Sequence, residues 1–289
     1  MTSETIIHVP NVLGGALDTA EAFLSRMATA QSGLPVKFDL SAVTWVCPYG
    51  AVILLGACRY LAQLSGGPVA MMSLRNEVHA YLRRIGFFDR AGEAACTPDP
   101  FDAANDWSRS AASSNVLELV PVGDHLDVYG VGSRARKILG YWLSHATYDI
   151  DQIVSLLAEA CSNVVDHSHD VGVVTIQKYG RGHYVDIELA ISDLGVGIRR
   201  SLATAHGDLA DTCSGYIERA LAGLTARPAG RGGQGLGAIQ RIATASGGSL
   251  LIRSETGRVF VQATSVTKRD GLAFLPGTQI AVTFHSRAC

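Results

Sequence analysis

The segment Tyr184–Ser192 constrains the fold of this chain more than any other. Val185, Ile187, Leu189 and Ile191 alternate with Asp186 and Glu188, a period of two that gives a strand one covered face in a sheet. The run leads directly into Asp193-Leu-Gly195-Val-Gly197-Ile198. An aspartate at a strand's end can accept a hydrogen bond from an exocyclic amine, and glycines behind it let backbone come close to a flat ligand. The same residue types also make an ordinary turn.

The pattern on either side supplies the rest of a sheet and its cover. Val116–Val120, Gly172–Lys178, Ser249–Arg253, Val259–Ala263 and Gln279–Phe284 read as strands. Gly132–His145 reads as a helix with Ile138, Leu139, Trp142 and Leu143 on one stripe. A second helix, from about Asp151 to His167, repeats Ile153, Leu156, Leu157, Ala160 and Val164 at helical spacing. Leu236–Ala245 is a third. Nearer the N-terminus, strands at Val36–Leu40 and Val69–Met72 alternate with helices at Gly50–Leu64 and Glu77–Ile85, the order of an α/β domain. The stretch 98–114 holds Pro98, Pro100 and the run Ala111-Ala112-Ser113-Ser114. It reads as a linker between domains at 1–97 and 115–289.

Composition narrows the function classes. Apolar residues make up 47% and charged residues 17%, enough for two buried cores, and the formal charge of −2 gives no broad basic surface for nucleic acid. The six cysteines are scattered without a C-x-x-C pair, so they read as small buried hydrophobes. The N-terminal residues lack a signal-peptide pattern, and the longest apolar run, Ala51–Ala57, is far too short to span a bilayer. A soluble cytoplasmic protein is the expectation.

Two further clusters carry chemistry. Glu159 and Asn163 stand at i and i+4 beside the apolar stripe of their helix, so they share a face. They could aim a base and a metal ligand at one point, or form a surface hydrogen-bonded pair. The run Gly230-Arg231-Gly232-Gly233-Gln234-Gly235-Leu236-Gly237 opens a helix. Glycines there expose backbone N–H groups and the positive end of the dipole, which suits phosphates. Gly230, Gly232 and Gly235 also satisfy G-x-G-x-x-G, but that fingerprint must follow a strand, whereas Glu218–Leu224 reads as helix and Arg227-Pro228-Ala229 as loop. The dinucleotide reading fails on context, and the P-loop signature is absent.

In this order the three clusters resemble the N box, G1 box and G2 box of the GHKL ATPase superfamily, which includes gyrase, MutL, heat-shock chaperones and histidine kinases. Gly277-Thr278 resembles that family's final Gly-Thr element, so the likeness runs from about Val116 to His285. It implies a Bergerat-type α/β sandwich holding ATP and Mg²⁺ between helices and sheet. By the resemblance Asn163 coordinates Mg²⁺, Asp193 binds the adenine amine, and Gly195 and Gly197 let adenine approach. Gly233, Gly235, Leu236 and Gly237 line the triphosphate, and Thr278 supports the adenine end. The segment Arg199–Arg231 is the lid, with Arg227 or Arg231 as phosphate contacts.

Glu159 before Asn163 and His167 after it look most like the serine kinases of the anti-sigma-factor class, in which this Glu is the general base. The same residue activates water in gyrase-type ATPases. The front domain, Phe38-Asp39-Leu40-Ser41 through Gly86-Phe87-Phe88, resembles STAS domains. STAS substrates carry a phosphorylatable serine at a helix start where this chain has Cys47-Pro48-Tyr49-Gly50. The resemblance implies serine/threonine-kinase-like chemistry on a protein partner, a STAS-domain or sigma-factor-like regulator. The alternative is a nucleotide-controlled binding switch, or a GHKL ATPase with little kinase activity. Anti-sigma-factor kinases commonly dimerise, which makes a homodimer one expectation.

Overall fold

The computed structural model describes residues 4–14, 17–97, 116–143, 147–181, 184–226 and 235–287. The chain divides into two compact units, Met1–Ala112 with Ala273–Leu275, and Ser113–Leu272 with Pro276–Cys289. The expected linker at 98–114 lies outside the described residues.

The first unit is built from β1 (Thr5–His8), β2 (Val12–Leu13), α1 (Leu17–Met27), β3 (Val36–Asp39), β4 (Trp45–Val46), α2 (Pro48–Ser65), β5 (Val69–Met72), α3 (Asn76–Arg84), α4 (Phe87–Ala91) and β6 (Ala95–Cys96). A parallel sheet in the order β1-β3-β5-β6 carries them, and β2 and β4 form a separate parallel pair. Parallel neighbours need crossover connections, which is why strands and helices alternate here. Helix α2 is buried from Pro48 through Cys58, as an all-apolar helix must be. Its ends are marked in the sequence: Pro48 stands at the first turn, and Gly66 at φ 77° donates its N–H to the Ala62 carbonyl. Cys47 caps the start, and both Cys47 and Tyr49 are buried, at 3% and 7% exposure. The start of α2 therefore presents no exposed hydroxyl among Cys47, Pro48 and Tyr49.

The second unit contains β7 (Val116–Val122), α5 (His125–Trp142), α6 (Thr147–His167), β8 (Gly172–Arg181), β9 (Tyr184–Ser192), α7 (Gly197–His206), α8 (Cys213–Leu221), α9 (Gly235–Ala245), β10 (Ser249–Glu255), β11 (Gly257–Gln262), β12 (Ser265–Arg269) and β13 (Leu275–Arg287). Seven strands form one sheet in the order β12-β11-β10-β13-β9-β8-β7. Alternate strand residues, among them Ile187, Leu189, Ile191, Ile252 and Val282, share one core with Leu139, Leu157, Ala160 and Ile239 of α5, α6 and α9. Apolar periodicity of two meets apolar periodicity of 3.6 there, the condition for a helix layer on a sheet.

The topology positions the site. Strand β13 returns between β10 and β9, pairing antiparallel with β9 so that Gln279 lies opposite Ser192. That register carries Gly277-Thr278 to the end of β9, beside Asp193, across more than eighty residues of sequence. One expectation needs correction. Helix α5 begins at His125 and not at Gly132, because Asp124 and Asp127 form a capping box ahead of it. The segment expected as a lid contains two helices, α7 and α8, which pack through Leu202, Tyr216 and Ala220. The expected end of the α5 helix at His145 lies outside the described residues.

Candidate functional site

A cleft in the second unit encloses about 800 Å³, part of it open to solvent. Helix α6 lines it with Glu159 and Asn163, β9 and its continuation with Ile191 and Asp193, and β13 with Thr278 and Ile280. Gly197 and Ile198 of α7, Ala220 of α8, and Gly235 and Leu236 of α9 also line it. Glu159, Asn163, Asp193, Gly197, Gly235, Leu236 and Thr278, which the sequence marks in four separate segments, therefore face one space.

Asp193 is 5% exposed and tightly framed. Its Oδ1 accepts the Gly195 N–H at 2.9 Å, its own N–H donates to the Thr278 carbonyl at 3.0 Å, and its carbonyl accepts from Gln279 Nε2 at 3.2 Å. Gly277, at φ 76°, lies so close that a Cβ there would stand 2.3 Å from the Asp193 carbonyl oxygen and 2.6 Å from Oδ1. Only glycine satisfies both the left-handed backbone and that approach. The Gly-Thr element is thus a floor moulded to the aspartate.

Other glycines serve chain packing as well as open space. A Cβ on Gly195 would come within 1.8 Å of the Ser168 carbonyl, and one on Gly237 within 2.7 Å of the Leu221 carbonyl. Neither lines the cleft. Gly195 lets the loop after β9 cross the end of α6, where the Val196 N–H donates to Ser168 at 3.0 Å. Gly235 sits under Glu159, whose Oε1 lies 2.1 Å from where a Cβ would stand. The carboxylate therefore packs against the first residue of α9, a helix end that favours negative charge. Arg231 and Gly233, with Arg227, lie outside the described residues.

Residues 148–285 match the family model described as histidine kinase-, DNA gyrase B-, and HSP90-like ATPase. This segment is a GHKL-type ATPase domain. No curated protein matches the chain. The elements β7 and α5 precede the matched segment.

Sequence reasoning missed two residues of the GHKL domain that hold the cleft in shape. Asp170 accepts the Leu194 N–H on Oδ2 at 2.9 Å, fixing the loop beyond Asp193. Ser254, 1% exposed at the end of β10, accepts the Ile198 N–H at 2.9 Å, donates to the Gly277 carbonyl at 3.0 Å and stands 3.4 Å from Thr278 Oγ1. One hydroxyl thus joins the start of α7 to the first residues of β13 beneath Asp193. The signal was thin: a lone serine ending a strand pattern. Beside it Glu255 takes φ 55°. Burial holds its carboxyl above the ordinary range, and the nearby Arg199 guanidinium partly offsets this. Behind the cleft, Cys161 is fully buried in α6, and burial pushes its thiol up to about 12.

Proposed function

We propose that the GHKL domain binds ATP with Mg²⁺ in this cleft, and that the chain is a cytoplasmic, nucleotide-dependent regulator of a protein partner. GHKL ATPase domains bind ATP, usually with Mg²⁺. The observation that carries the reading is the meeting of Asp193 and Thr278 with Glu159, Asn163 and Gly235 around one space. In this reading the adenine amine donates to Asp193, whose carboxylate is oriented by the Gly195 N–H. Thr278 supports that end of the site. The start of α9, with Gly235 and Leu236 and the preceding Arg231 and Gly233, takes the phosphates.

The donor set fits Mg²⁺, a hard cation that usually takes one or two protein oxygen ligands and completes its shell with phosphates and water. Asn163 would hold it through the amide oxygen, one helical turn from Glu159. When bound, the ion neutralises negative charge on the reacting phosphate. Glu159 is the general base in this reading. Its carboxylate takes the proton from a partner's serine or threonine hydroxyl in a kinase, or from water in an ATPase. The partner class we favour is a STAS-domain or sigma-factor-like regulator, with the STAS-like N-terminal unit as its docking module or internal counterpart.

One observation favours a second reading, a switch with little turnover. Ser254 ties the start of α7 to Gly277-Thr278 at the start of β13, so a nucleotide touching Thr278 bears directly on a helix of the lid segment. Differential affinity for two lid positions would suffice to change partner binding. Phosphate release and partner phosphorylation by wild type and Glu159→Ala separate the two. Turnover abolished by Glu159→Ala with ATP still bound supports chemistry at Glu159. Absent turnover in wild type, with nucleotide-dependent partner binding, supports the switch.

A further inference from the structure

We infer that His206 is a positioning residue of the cleft, holding through the Thr225 carbonyl the part of the wall that precedes the glycine-rich run. The inference deepens the nucleotide reading and rests on it for the identity of the ligand. His206 stands in the last turn of α7 and is exposed. A histidine at a helix C-terminus ordinarily serves its own helix, as a charge beside the dipole or a donor to the last carbonyls. His206 reaches elsewhere. Its Nε2 lies 2.7 Å from the carbonyl oxygen of Thr225, 19 residues further on. A carbonyl only accepts, so Nε2 carries the proton in this bond, as it does in both the Nε2–H tautomer and the imidazolium.

The place of this bond gives it its consequence. Leu224, Thr225 and Ala226 line the cleft, and so do Gly235 and Leu236 at the start of α9. The connection between the two, residues 227–234, includes Gly230, Gly232 and Gly233. Glycine has little backbone preference of its own, so fixing the ends of such a connection removes conformations that its residues do not. One end is the first residue of α9, packed against Glu159. The other is Ala226, whose neighbour Thr225 is anchored on His206.

An anchor positions only if it is itself held, and α7 is held along its length. At its start the Ile198 N–H donates to Ser254 Oγ at 2.9 Å. Leu202 packs with Tyr216 and Ala220 of α8, and the Arg199 guanidinium lies 5.9 Å from the centre of the Tyr216 ring, within cation–π range. The Tyr216 hydroxyl in turn accepts the Leu209 N–H at 2.9 Å, fixing the chain just after α7. Helix α7, 10 residues and about 15 Å long, thus connects Ser254 at one end with Thr225 at the other. His206 is the donor at the far end.

Because His206 is exposed, its replacement leaves the core intact. Two substitutions on the full chain isolate the bond. His206→Phe keeps a ring without the nitrogen donor, and His206→Gln restores an N–H donor near the position of Nε2. Isothermal titration of ATP with Mg²⁺ is expected to show binding roughly three- to tenfold weaker in His206→Phe, the span of a lost neutral hydrogen bond, and within about twofold of wild type in His206→Gln. Trypsin gives a second readout without nucleotide. Arg227 precedes Pro228, so the first bond that trypsin cuts after Thr225 is Arg231–Gly232. Mass spectrometry should find it cut at least about threefold faster in His206→Phe than in wild type or His206→Gln. Equal ATP affinity in His206→Phe and wild type, no rescue by His206→Gln, or equal cleavage in all three overturns the proposal. Wild type that binds no ATP overturns the nucleotide reading instead, and the cleavage rates then decide whether His206 holds the wall.

Discussion

Replacing Gly277 by alanine probes how tightly the start of β13 is fitted beneath Asp193. Two costs add at this position. Its φ of 76° lies in the left-handed region, which costs a residue with a Cβ roughly 1–2 kcal/mol. The new methyl would also stand 2.3 Å from the Asp193 carbonyl oxygen, about 1 Å inside ordinary contact. The neighbour is backbone and the sheet must shift, a change of the overpacking kind worth about 1–3 kcal/mol. A loss near 3 kcal/mol is therefore expected, roughly 6–12 °C in melting temperature for a domain of this size. Gly271 supplies the control. It has φ 69° with nothing within 4 Å of its Cβ position, so Gly271→Ala carries only the backbone term, about 1–2 kcal/mol. Urea denaturation of both variants separates the terms. Equal losses would refute the claim that Gly277 is moulded to Asp193.

Three more outcomes follow from the same geometry. Ser254→Ala leaves the Ile198 N–H and the Gly277 carbonyl without their shared hydroxyl and should cost about 1–3 kcal/mol, read by chemical denaturation; a loss below a few tenths would remove Ser254 from the network. Glu255 has a carboxyl raised by burial, so its ionised form is disfavoured in the folded state. That penalty is absent well below its ordinary value of 4.5 and complete once pH has risen above the folded value. Glu255→Gln should accordingly melt higher than wild type at neutral pH, with the gap closing as pH falls toward 4; a lower melting point at neutral pH contradicts the sign. Among the described cysteines Cys96 alone is exposed, so native protein should label quickly with a maleimide at Cys96 and at Cys58 and Cys161 only after unfolding. Rapid native labelling of Cys161 would count against the packing of α6.

Strands and helices with a clean period were legible in the sequence, and β9 and β5 fall where the pattern puts them. Short or irregular elements were not. β2 and β4 have two residues each, too few for a period to show, and fully exposed β12 has no apolar alternation to betray it. The site was legible as residue types but not as roles. Asp193 and Gly277 attract notice as an aspartate ending a strand and a glycine opening one, yet only the β9–β13 register shows that one supports the other. The sequence marks Gly195 and Gly237 for close approach to a ligand, but not that their missing side chains also make room for the Ser168 and Leu221 carbonyls. Close approach between distant segments has no local signature. Ser254 and Asp170 stayed hidden for the same reason, since each is defined by a hydrogen bond to a residue more than twenty positions away.

Isothermal titration of ATP with Mg²⁺ into wild type and Asp193→Asn addresses the adenine end of the cleft without involving turnover. The substitution keeps shape and removes the charge that, in the proposed reading, accepts the adenine amine, a hydrogen bond worth about 1.5–3 kcal/mol. Wild type should bind, and Asp193→Asn should bind roughly ten- to a hundredfold more weakly. Equal affinity in the two proteins, or no heat from wild type at any workable concentration, would mean that this cleft does not hold the nucleotide.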